Sequence, residues 1–454
     1  MAGHPNYTDE QLQSIVEDVR ESNGLSISKY TELLYFAAIN EDTPQNRALF
    51  TRVINKYIYP SLDENGKITP PSNFSSRDLT REMNALARRP HNKYQMIFGI
   101  ATIDGDKFLP KSITIDGYKY HQISWQTVRQ NLKKHNKFPQ FLNTFAKTVR
   151  PIEILPFPDS VIINFTGNDF YKHLERLLSK HIYYQVEIDA LDAELATSII
   201  DDTFGKVLWA ATAAWATTAQ GTTWTSSGLL VRRAPAMMNG VYQAFDVDKN
   251  NLALLQDTER KVKAEQKLLS STEPKHDEDR LHLYRKILNM LLNPRDYCAR
   301  TRLIKVTKVL HEALSSDNVN NRHLKLWQCV ELGIGWRFRK EKDIIRTLKR
   351  YYDPSLATNG IWMVIGDYVH TKRCTHVHEG TELTWDVHGT YDPALNLYMD
   401  YVRVVIMMLT YFGDSRRPKF IRDEESFKKL MEYYAQDNKD LALAKWVKSH
   451  RYGN

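Results

Sequence analysis

The 454-residue chain has few cysteines and no long apolar run. Cys298, Cys329 and Cys374 lie far apart and form no paired spacing, which argues against a disulfide framework or a zinc site and indicates a reducing compartment. The longest apolar runs, 207–219 and 404–412, are shorter than the roughly 20 residues that cross a bilayer. The first residues lack the basic stretch and apolar stretch of a secretion signal. We therefore expect a cytoplasmic protein with no membrane segment.

The composition is that of a globular protein. Apolar residues make up 42% and charged residues 26% of the chain, which excludes an intrinsically disordered protein. Nine tryptophans and 24 tyrosines provide surface for a core. At about 150 residues per domain, this length predicts two or three domains. The net charge of +8 and the pI near 9.0 favour a polyanionic partner such as nucleic acid.

The first part of the chain has the pattern of a mixed helical and β region. Residues 8–60 carry apolar residues at three- and four-residue intervals, which predicts helices. From about residue 93, short β-branched and aromatic runs alternate with turn formers, which predicts a small sheet with a helix set into it at 124–135. Residues 169–180 predict an amphipathic helix, and the alanine- and tryptophan-rich end of residues 186–216 predicts a buried helix.

The second part of the chain is dominated by helical periodicity. The highly charged residues 258–286 predict a linker or a long solvated helix, and we place a domain boundary near 270–285. We therefore predict an α+β protein with an N-terminal helical segment (1–90), an α+β sensor or regulatory region (91–275) and an all-α bundle (276–454). The predicted helices of the bundle lie near residues 280–293, 298–315, 321–333, 340–352, 360–377, 394–412 and 424–449.

Three arginines are followed by a histidine five or six positions later. The pairs are Arg129 with His135, Arg176 with His181, and Arg373 with His378. Because such pairs arise by chance among 29 arginines and 15 histidines, the context must choose among them. The first two pairs lie on basic amphipathic helices, where solvated positions are the simpler interpretation. The third follows an apolar-periodic helix, and Gly380 stands at a suitable helix-stop position after it.

The residue types of this third pair suit metal-independent cleavage of RNA. The guanidinium of Arg373 can hold a phosphate in a fixed geometry and stabilise the charge that develops on it. The imidazole of His378 can move a proton on or off the ribose 2′-hydroxyl near neutral pH. RNA supplies its own nucleophile, so neither a cofactor nor a metal is needed. Since five positions rotate an ideal helix by about 140°, the two side chains meet only where a helix ends between them or across a dimer.

A family resemblance begins upstream of the pair. The run LKLWQCVELGIGW (324–336) is followed about 40 residues later by Arg373-x4-His378 and then by a long apolar helix. Over roughly residues 285–412 this arrangement resembles the HEPN superfamily of helical ribonucleases, and within it the Apea-like branch. The resemblance implies a HEPN-like helical bundle that cleaves RNA without a metal, as a homodimer or higher homo-oligomer. It also implies a toxin or effector of abortive infection, an antiviral defence with a phage-derived trigger.

One position departs from the superfamily pattern. The residue after the arginine is commonly Asn, Asp or His, whereas here it is Cys374. The resemblance then assigns the supporting role to Cys374 and His376 beside the catalytic pair.

A basic stretch lies between the resembling helix and the pair. From Arg322 to Arg350, nine basic residues stand against three acidic ones, a net of +6. Interleaved aromatic residues such as Trp336 are suited to stack on unpaired bases, and a solvated helix face is the alternative interpretation. We expect Glu331 to be structural and to pair with an arginine inside the bundle. The predicted RNA-binding residues are Arg337, Arg339, Lys340, Lys342, Arg346, Lys349 and Arg350.

Two other interpretations of the C-terminal part stay open. One is a non-catalytic helical module that binds RNA or a protein partner. The other is a metal site, because His376, His378, Glu382 and Gly389 match the spacing of the first cupin motif apart from its leading glycine. His370 and His388 lie nearby. A cupin also needs strands on both sides and a later histidine motif, whereas an apolar helix follows here.

Overall fold

The structure is a computed structural model with an α+β fold, which confirms the predicted fold class. A six-stranded antiparallel sheet lies within residues 92–256, and the described elements from Pro274 onward are helices. The structure describes residues 43–58, 61–62, 68–69, 76–102, 108–150, 168–218, 234–257, 262–263, 274–294, 298–316, 319–334, 393–414 and 425–427.

The helices and strands are numbered in chain order. The helices are α1 (Pro44–Ile58), α2 (Ser76–Ala87), α3 (Trp125–Lys134), α4 (Phe138–Thr148), α5 (Asn168–Leu178), α6 (Ala193–Thr203), α7 (Gly205–Thr218), α8 (Pro274–Leu292), α9 (Cys298–Ser315), α10 (Val319–Ile334) and α11 (Pro393–Phe412). The strands are β1 (Ser61–Leu62), β2 (Ile68–Thr69), β3 (Asn92–Thr102), β4 (Ser112–Ile115), β5 (Tyr118–Ile123), β6 (Val149–Arg150), β7 (Ile182–Ala190), β8 (Ala236–Asp246), β9 (Asn251–Gln256) and β10 (Val262–Lys263).

The main sheet has the strand order β4-β5-β7-β3-β8-β9, with every neighbouring pair antiparallel. A two-residue turn joins β4 to β5, and its residues Asp116 and Gly117 have φ of 49° and 88°. Positive φ at both positions matches the right-handed twist of a hairpin, which explains the Asp-Gly sequence. The pairing of β3 with β8 shifts register at Gly99, where a Cβ atom would lie 2.4 Å from Nδ2 of Asn239.

The two faces of the sheet bury different layers of helices. Alternate side chains of β3 point to opposite faces, so Ile97 and Phe98 belong to different cores. The Ile97 side is covered by α3, α4 and α5, with Leu132, Phe145 and Leu174 fully buried there. The Phe98 side packs against α1, α6 and α7, and its core continues without a break into helices α8 to α11.

Helix α7 is buried all round, which confirms the prediction from its alanine- and tryptophan-rich sequence. It packs against α6, α8, α9 and α11, because its small alanine side chains allow close approach of the neighbouring helices. The charged run at 258–286 is only partly solvated, since Arg280 and Tyr284 of α8 are buried and Arg280 lies 4.5 Å from the Trp215 ring centroid. The predicted domain limits stay predictions.

The structure confirms the predicted helices at 124–135 and 169–180 and the bundle helices near 280–293, 298–315, 321–333 and 394–412. Strands β8 and β9 were not predicted. The helices predicted at 340–352 and 360–377 lie outside the described residues, as does most of 424–449. Within the part of the chain that the structure describes, no helix combines the length and apolar character needed to cross a membrane.

Candidate functional site

The predicted catalytic residues lie outside the described residues. Arg373, Cys374, His376 and His378 fall in the stretch between the end of α10 and the start of α11. The same stretch holds the predicted RNA-binding residues from Arg337 to Arg350 and the cupin-like set with His370, Glu382, His388 and Gly389. Their roles therefore stay predictions, and the described helices on either side supply the geometry that bears on them.

Helices α10 and α11, which bracket this stretch, pack directly against each other. A Cβ atom at Gly333 would lie 2.1 Å from Cγ1 of Val405, so glycine is what allows the two helices to approach so closely. Two arginines of α9 fasten the same end of the bundle. Arg302 donates to the Leu332 carbonyl at 2.9 Å and Arg300 to the Gly413 carbonyl at 2.7 Å, which caps the C-terminal ends of both helices.

Helix α10, which carries most of the run that resembles the HEPN superfamily, has an internal polar contact. Nε1 of Trp327 donates to Oε1 of Glu331 at 2.7 Å, and the indole is buried. Four residues separate the two positions, so their side chains lie on one helix face. Glu331 was predicted to be structural and to pair with an arginine; this hydrogen bond gives it a structural contact, and the pairing with an arginine stays a prediction.

Two members of the basic stretch have structural partners. Arg322 is buried and its Nη2 donates to the carbonyl of Ser316 at 2.6 Å, at the C-terminal end of α9. Nζ of Lys325 lies 2.8 Å from Oε2 of Glu312. These two cations hold α9 and α10 together, whereas the cations from Arg337 onward lie outside the described residues.

The pair Arg129 and His135 lies on α3 as predicted, and its arginine is engaged. Nε of Arg129 lies 2.8 Å from Oε1 of Glu175 on α5. His135 is the C-cap of α3, and its ring packs against Phe245 at an interplanar angle of 53°, with centroids 5.1 Å apart. This pair serves helix packing.

The prediction of a solvated position is wrong for His181. Arg176 is exposed, but the His181 ring is partly buried against Phe145, with centroids 5.5 Å apart, and its Nδ1 lies 3.4 Å from Nδ2 of Asn239. Burial lowers the pKa of His181 from 6.5 to about 4, so the imidazole is neutral near neutral pH. The helix pattern cannot show this, because the covering residues come from α4 and β8.

A cleft lies between the sheet part and the bundle, with a volume of about 790 Å³. One side is formed by α1 and α6 and the other by α9 and α10, while α7 and the start of β8 supply apolar lining. Its charged and titratable lining residues include Arg47, Asp201, Asp202, Lys308, His311 and Lys325.

The carboxylates of α6 are held in a fixed network. Nε and Nη2 of Arg47 donate to the same oxygen, Oδ2 of Asp202, at 2.9 and 2.6 Å. The hydroxyl of Tyr242 donates to Oδ1 of Asp201 at 2.7 Å. These bonds tie α1 and β8 to α6, and they fix the direction of both carboxylates on this wall of the cleft.

The opposite wall carries cations around one carboxylate. Burial by itself would raise the pKa of Glu312, but Lys325 and Lys308 outweigh burial and hold the pKa below its ordinary value. Glu312 is therefore ionised at neutral pH. Nζ of Lys308 lies 5.6 Å from the ring centroid of Trp209, which is a cation–π distance.

His311 on this wall contacts Thr212 of α7. The hydroxyl of Thr212 donates its single proton to the carbonyl of Leu208 at 2.8 Å. The same hydroxyl oxygen lies 2.8 Å from Nδ1 of His311, so Thr212 links α7 to α9 at this wall.

Sequence reasoning missed this cleft because its residues come from distant parts of the chain. One pattern points to it: Lys308, His311, Glu312 and Ser315 stand at helical spacing and share one face of α9. Charged residues on an otherwise apolar-periodic helix indicate a polar surface facing inward. The acidic wall has no comparable pattern, since Asp201 and Asp202 are adjacent and look like an ordinary exposed helix end.

Neither a metal site nor a similar protein assigns a function to the described part of the chain. Within the described ranges, no group of three or more histidine, cysteine, aspartate and glutamate side chains is arranged to hold a metal ion. Comparison of the chain with models of protein families, with curated proteins and with solved structures finds no match.

Proposed function

We propose that this protein is a metal-independent endoribonuclease of the HEPN type, with Arg373 and His378 as its catalytic residues. The observation that supports the proposal is the packing of α10 on α11, through Gly333 and Val405. These are the two helices that flank the Arg-x4-His motif in the resemblance. The proposal includes RNA as substrate, an Apea-like bundle, and a cytoplasmic toxin or effector of anti-phage defence.

The proposed reaction is an internal transfer at phosphorus. The imidazole of His378 removes the proton of the ribose 2′-hydroxyl, and the 2′-oxygen forms a bond to the adjacent phosphorus. The bond from phosphorus to the 5′-oxygen of the next nucleotide breaks, and that oxygen takes a proton. Arg373 holds the non-bridging oxygens while charge accumulates on them. The products are a 2′,3′-cyclic phosphate and a 5′-hydroxyl, and general acid–base help contributes roughly 10²–10⁴-fold.

A homodimer or higher homo-oligomer is part of the proposal. Two bundles would place two Arg373–His378 pairs in one shared groove at the dimer interface. A second imidazole could then return the proton to the leaving oxygen. Cys374 and His376 would support the pair. A phage-derived trigger would act through the N-terminal part of the chain.

The test is incubation of the purified protein with total RNA in EDTA, beside a parallel reaction without EDTA. The wild type and the control His282→Ala, which alters an exposed histidine of α8, should release fragments with 2′,3′-cyclic phosphate ends. Arg373→Ala and His378→Ala should release none while they keep the wild-type melting temperature. Equal cleavage by His378→Ala contradicts the proposal, and cleavage that EDTA abolishes supports the cupin-like metal site.

The net charge of +8 favours a second candidate, a non-catalytic module that binds RNA. In that case Arg373→Ala and His378→Ala bind RNA as the wild type does, and no intact variant cleaves it. A filter-binding measurement beside the cleavage assay separates the two functions, because the ribonuclease loses cleavage but keeps most RNA affinity in His378→Ala.

A further inference from the structure

We propose that the cleft between α6 and α9 binds a small phosphate-bearing polyol, either a sugar phosphate or a nucleoside monophosphate. The proposal concerns a binding site and does not rest on the ribonuclease activity. It is argued from the size of the cleft, the separation of charge between its two walls, and two polar groups whose hydrogen-bonding capacity the described residues leave unused.

The size of the cleft fits a small molecule. Its volume of about 790 Å³ lies within the roughly 300–1,000 Å³ of known small-molecule sites. Trp209, Met237 and Met238 contribute apolar lining between the charged walls, which suits the carbon skeleton of a sugar or a base. Small-molecule sites usually combine an apolar lining with a few polar groups.

The α9 wall suits a phosphate. Lys308 has no ion pair or hydrogen bond among the described residues; its ammonium group lies 5.6 Å from the ring centroid of Trp209 and interacts electrostatically with Glu312. Lys325, His311 and Glu312 line the same wall. Glu312 is paired with Lys325 at 2.8 Å, so Lys308 is the cation left for a phosphate. The side chain of Ser315, one turn beyond His311, has a buried Oγ atom that finds no hydrogen-bond partner within the described ranges. A phosphate oxygen would accept from this hydroxyl and from the lysine.

The α6 wall suits hydroxyl donors. Both hydrogen bonds of Arg47 to Asp202 end on Oδ2, so Oδ1 receives no hydrogen bond from the described residues. A carboxylate oxygen accepts readily from the paired hydroxyls of a sugar. Residues of α6 and α9 line the same cleft, so a ligand with a phosphate at one end and hydroxyls at the other can contact both helices.

Two other ligand classes fit less well. A divalent cation would have to displace Arg47, which neutralises Asp202 at 2.6 Å. A stretch of RNA carries a negative charge at every nucleotide, and the Asp201 and Asp202 wall repels a second phosphate. A single phosphate with a neutral polyol avoids both conflicts.

The test measures binding to the full-length protein by isothermal titration calorimetry. The ligands are adenosine 5′-monophosphate and ribose 5-phosphate, with adenosine and inorganic phosphate for comparison. At least one of the two phosphorylated ligands should bind at least tenfold more tightly than adenosine and inorganic phosphate do. Tighter binding of the nucleotide identifies a nucleoside monophosphate site, and equal binding of both identifies a sugar phosphate site.

Three variants connect the binding to the cleft. Lys308→Gln should lower the affinity for the more tightly bound ligand about tenfold, because it removes one charge-assisted hydrogen bond. Ser315→Ala should lower the same affinity several-fold. Lys134→Gln, which removes an exposed lysine on α3, should bind as the wild type does. Unchanged melting temperatures without ligand establish that the variants are folded. Wild-type affinity in a folded Lys308→Gln, or no binding of either phosphorylated ligand, overturns the proposal.

Discussion

The indole of Trp327 donates a hydrogen bond of 2.7 Å to the carboxylate of Glu331 one turn further along α10. The buried tryptophan thus satisfies its only polar hydrogen, and the carboxylate gains a partner within its own helix. This contact lies in the part of the chain that carries the family resemblance, so its role in stability can be separated from any role in catalysis.

Trp327→Phe should lower the free energy of unfolding by about 2–4 kcal/mol. The change removes the donor to Glu331 and leaves a cavity in a closely packed region. Chemical denaturation measures the loss. Glu331→Gln is the matched control, because its amide oxygen still accepts from the indole, and it should cost less than about 1 kcal/mol. A greater loss in Glu331→Gln than in Trp327→Phe would contradict this account.

Gly333→Ala should destabilise the bundle by about 1–3 kcal/mol, the usual cost of overpacking. The added methyl group would lie 2.1 Å from Cγ1 of Val405, so α10 and α11 would have to move apart. The double variant Gly333→Ala with Val405→Ala should recover part of the loss, since the second change removes the clash. Thermal denaturation of the wild type, the two single variants and the double variant gives the coupling free energy between the two positions. Strictly additive stability losses would show that the clash is absent.

The stability of the protein should fall as pH decreases below about 6.5, in part through His181. Burial lowers the pKa of this imidazole from 6.5 to about 4 in the folded state. The unfolded chain therefore binds a proton first, so the stabilisation present above 6.5 is lost progressively down to about pH 4. Between about pH 7.5 and pH 5.5 the loss from this group amounts to roughly 1 kcal/mol.

His181→Gln is the variant that tests this pH dependence. Denaturation at several pH values should give a shallower decrease in the free energy of unfolding than in the wild type. His282→Gln alters an exposed histidine and should keep the wild-type slope. Identical slopes for all three proteins would mean that His181 is not buried in the neutral form.

Gly117→Ala should cost about 1 kcal/mol through the backbone alone. Gly117 has φ of 88° in the turn between β4 and β5, and no heavy atom outside the turn lies within 4 Å of a Cβ built there. The alanine therefore meets an unfavourable dihedral angle and no clash. Gly117→Asn should be milder, since asparagine tolerates this region. Equal stability of the alanine variant and the wild type would exclude the left-handed turn.

The sequence predicted best where local pattern and final environment agree. The Asp-Gly turn, the amphipathic α5 and the alanine-rich α7 each carry their structural reason in adjacent residues. Strand β8 was missed because Asn239 and Gln243 are polar, although both are buried in a strand that pairs on both sides. Asn239 accepts from the backbone of Val241 and lies against Gly99 of β3, and a contact with a distant strand cannot be seen in the hydrophobic periodicity.

The candidate sites differ in the same way. The Arg373 and His378 prediction comes from residues close in sequence, and it stays a prediction because they lie outside the described residues. The cleft was not predicted, because Arg47, Asp202 and Lys308 meet only after α1, α6 and α9 have packed. His181 was misjudged for a related reason, since its burial depends on Phe145 and Asn239 from other elements.

The position of α7 has a practical consequence for dissecting the chain. This helix precedes residue 275, yet α8, α9 and α11 all bury apolar surface against it. A fragment starting at residue 276 would present that surface to water and invite aggregation. Truncations meant to isolate the helical part should therefore begin no later than Gly205, or include α7 as a separate peptide that restores solubility when added back.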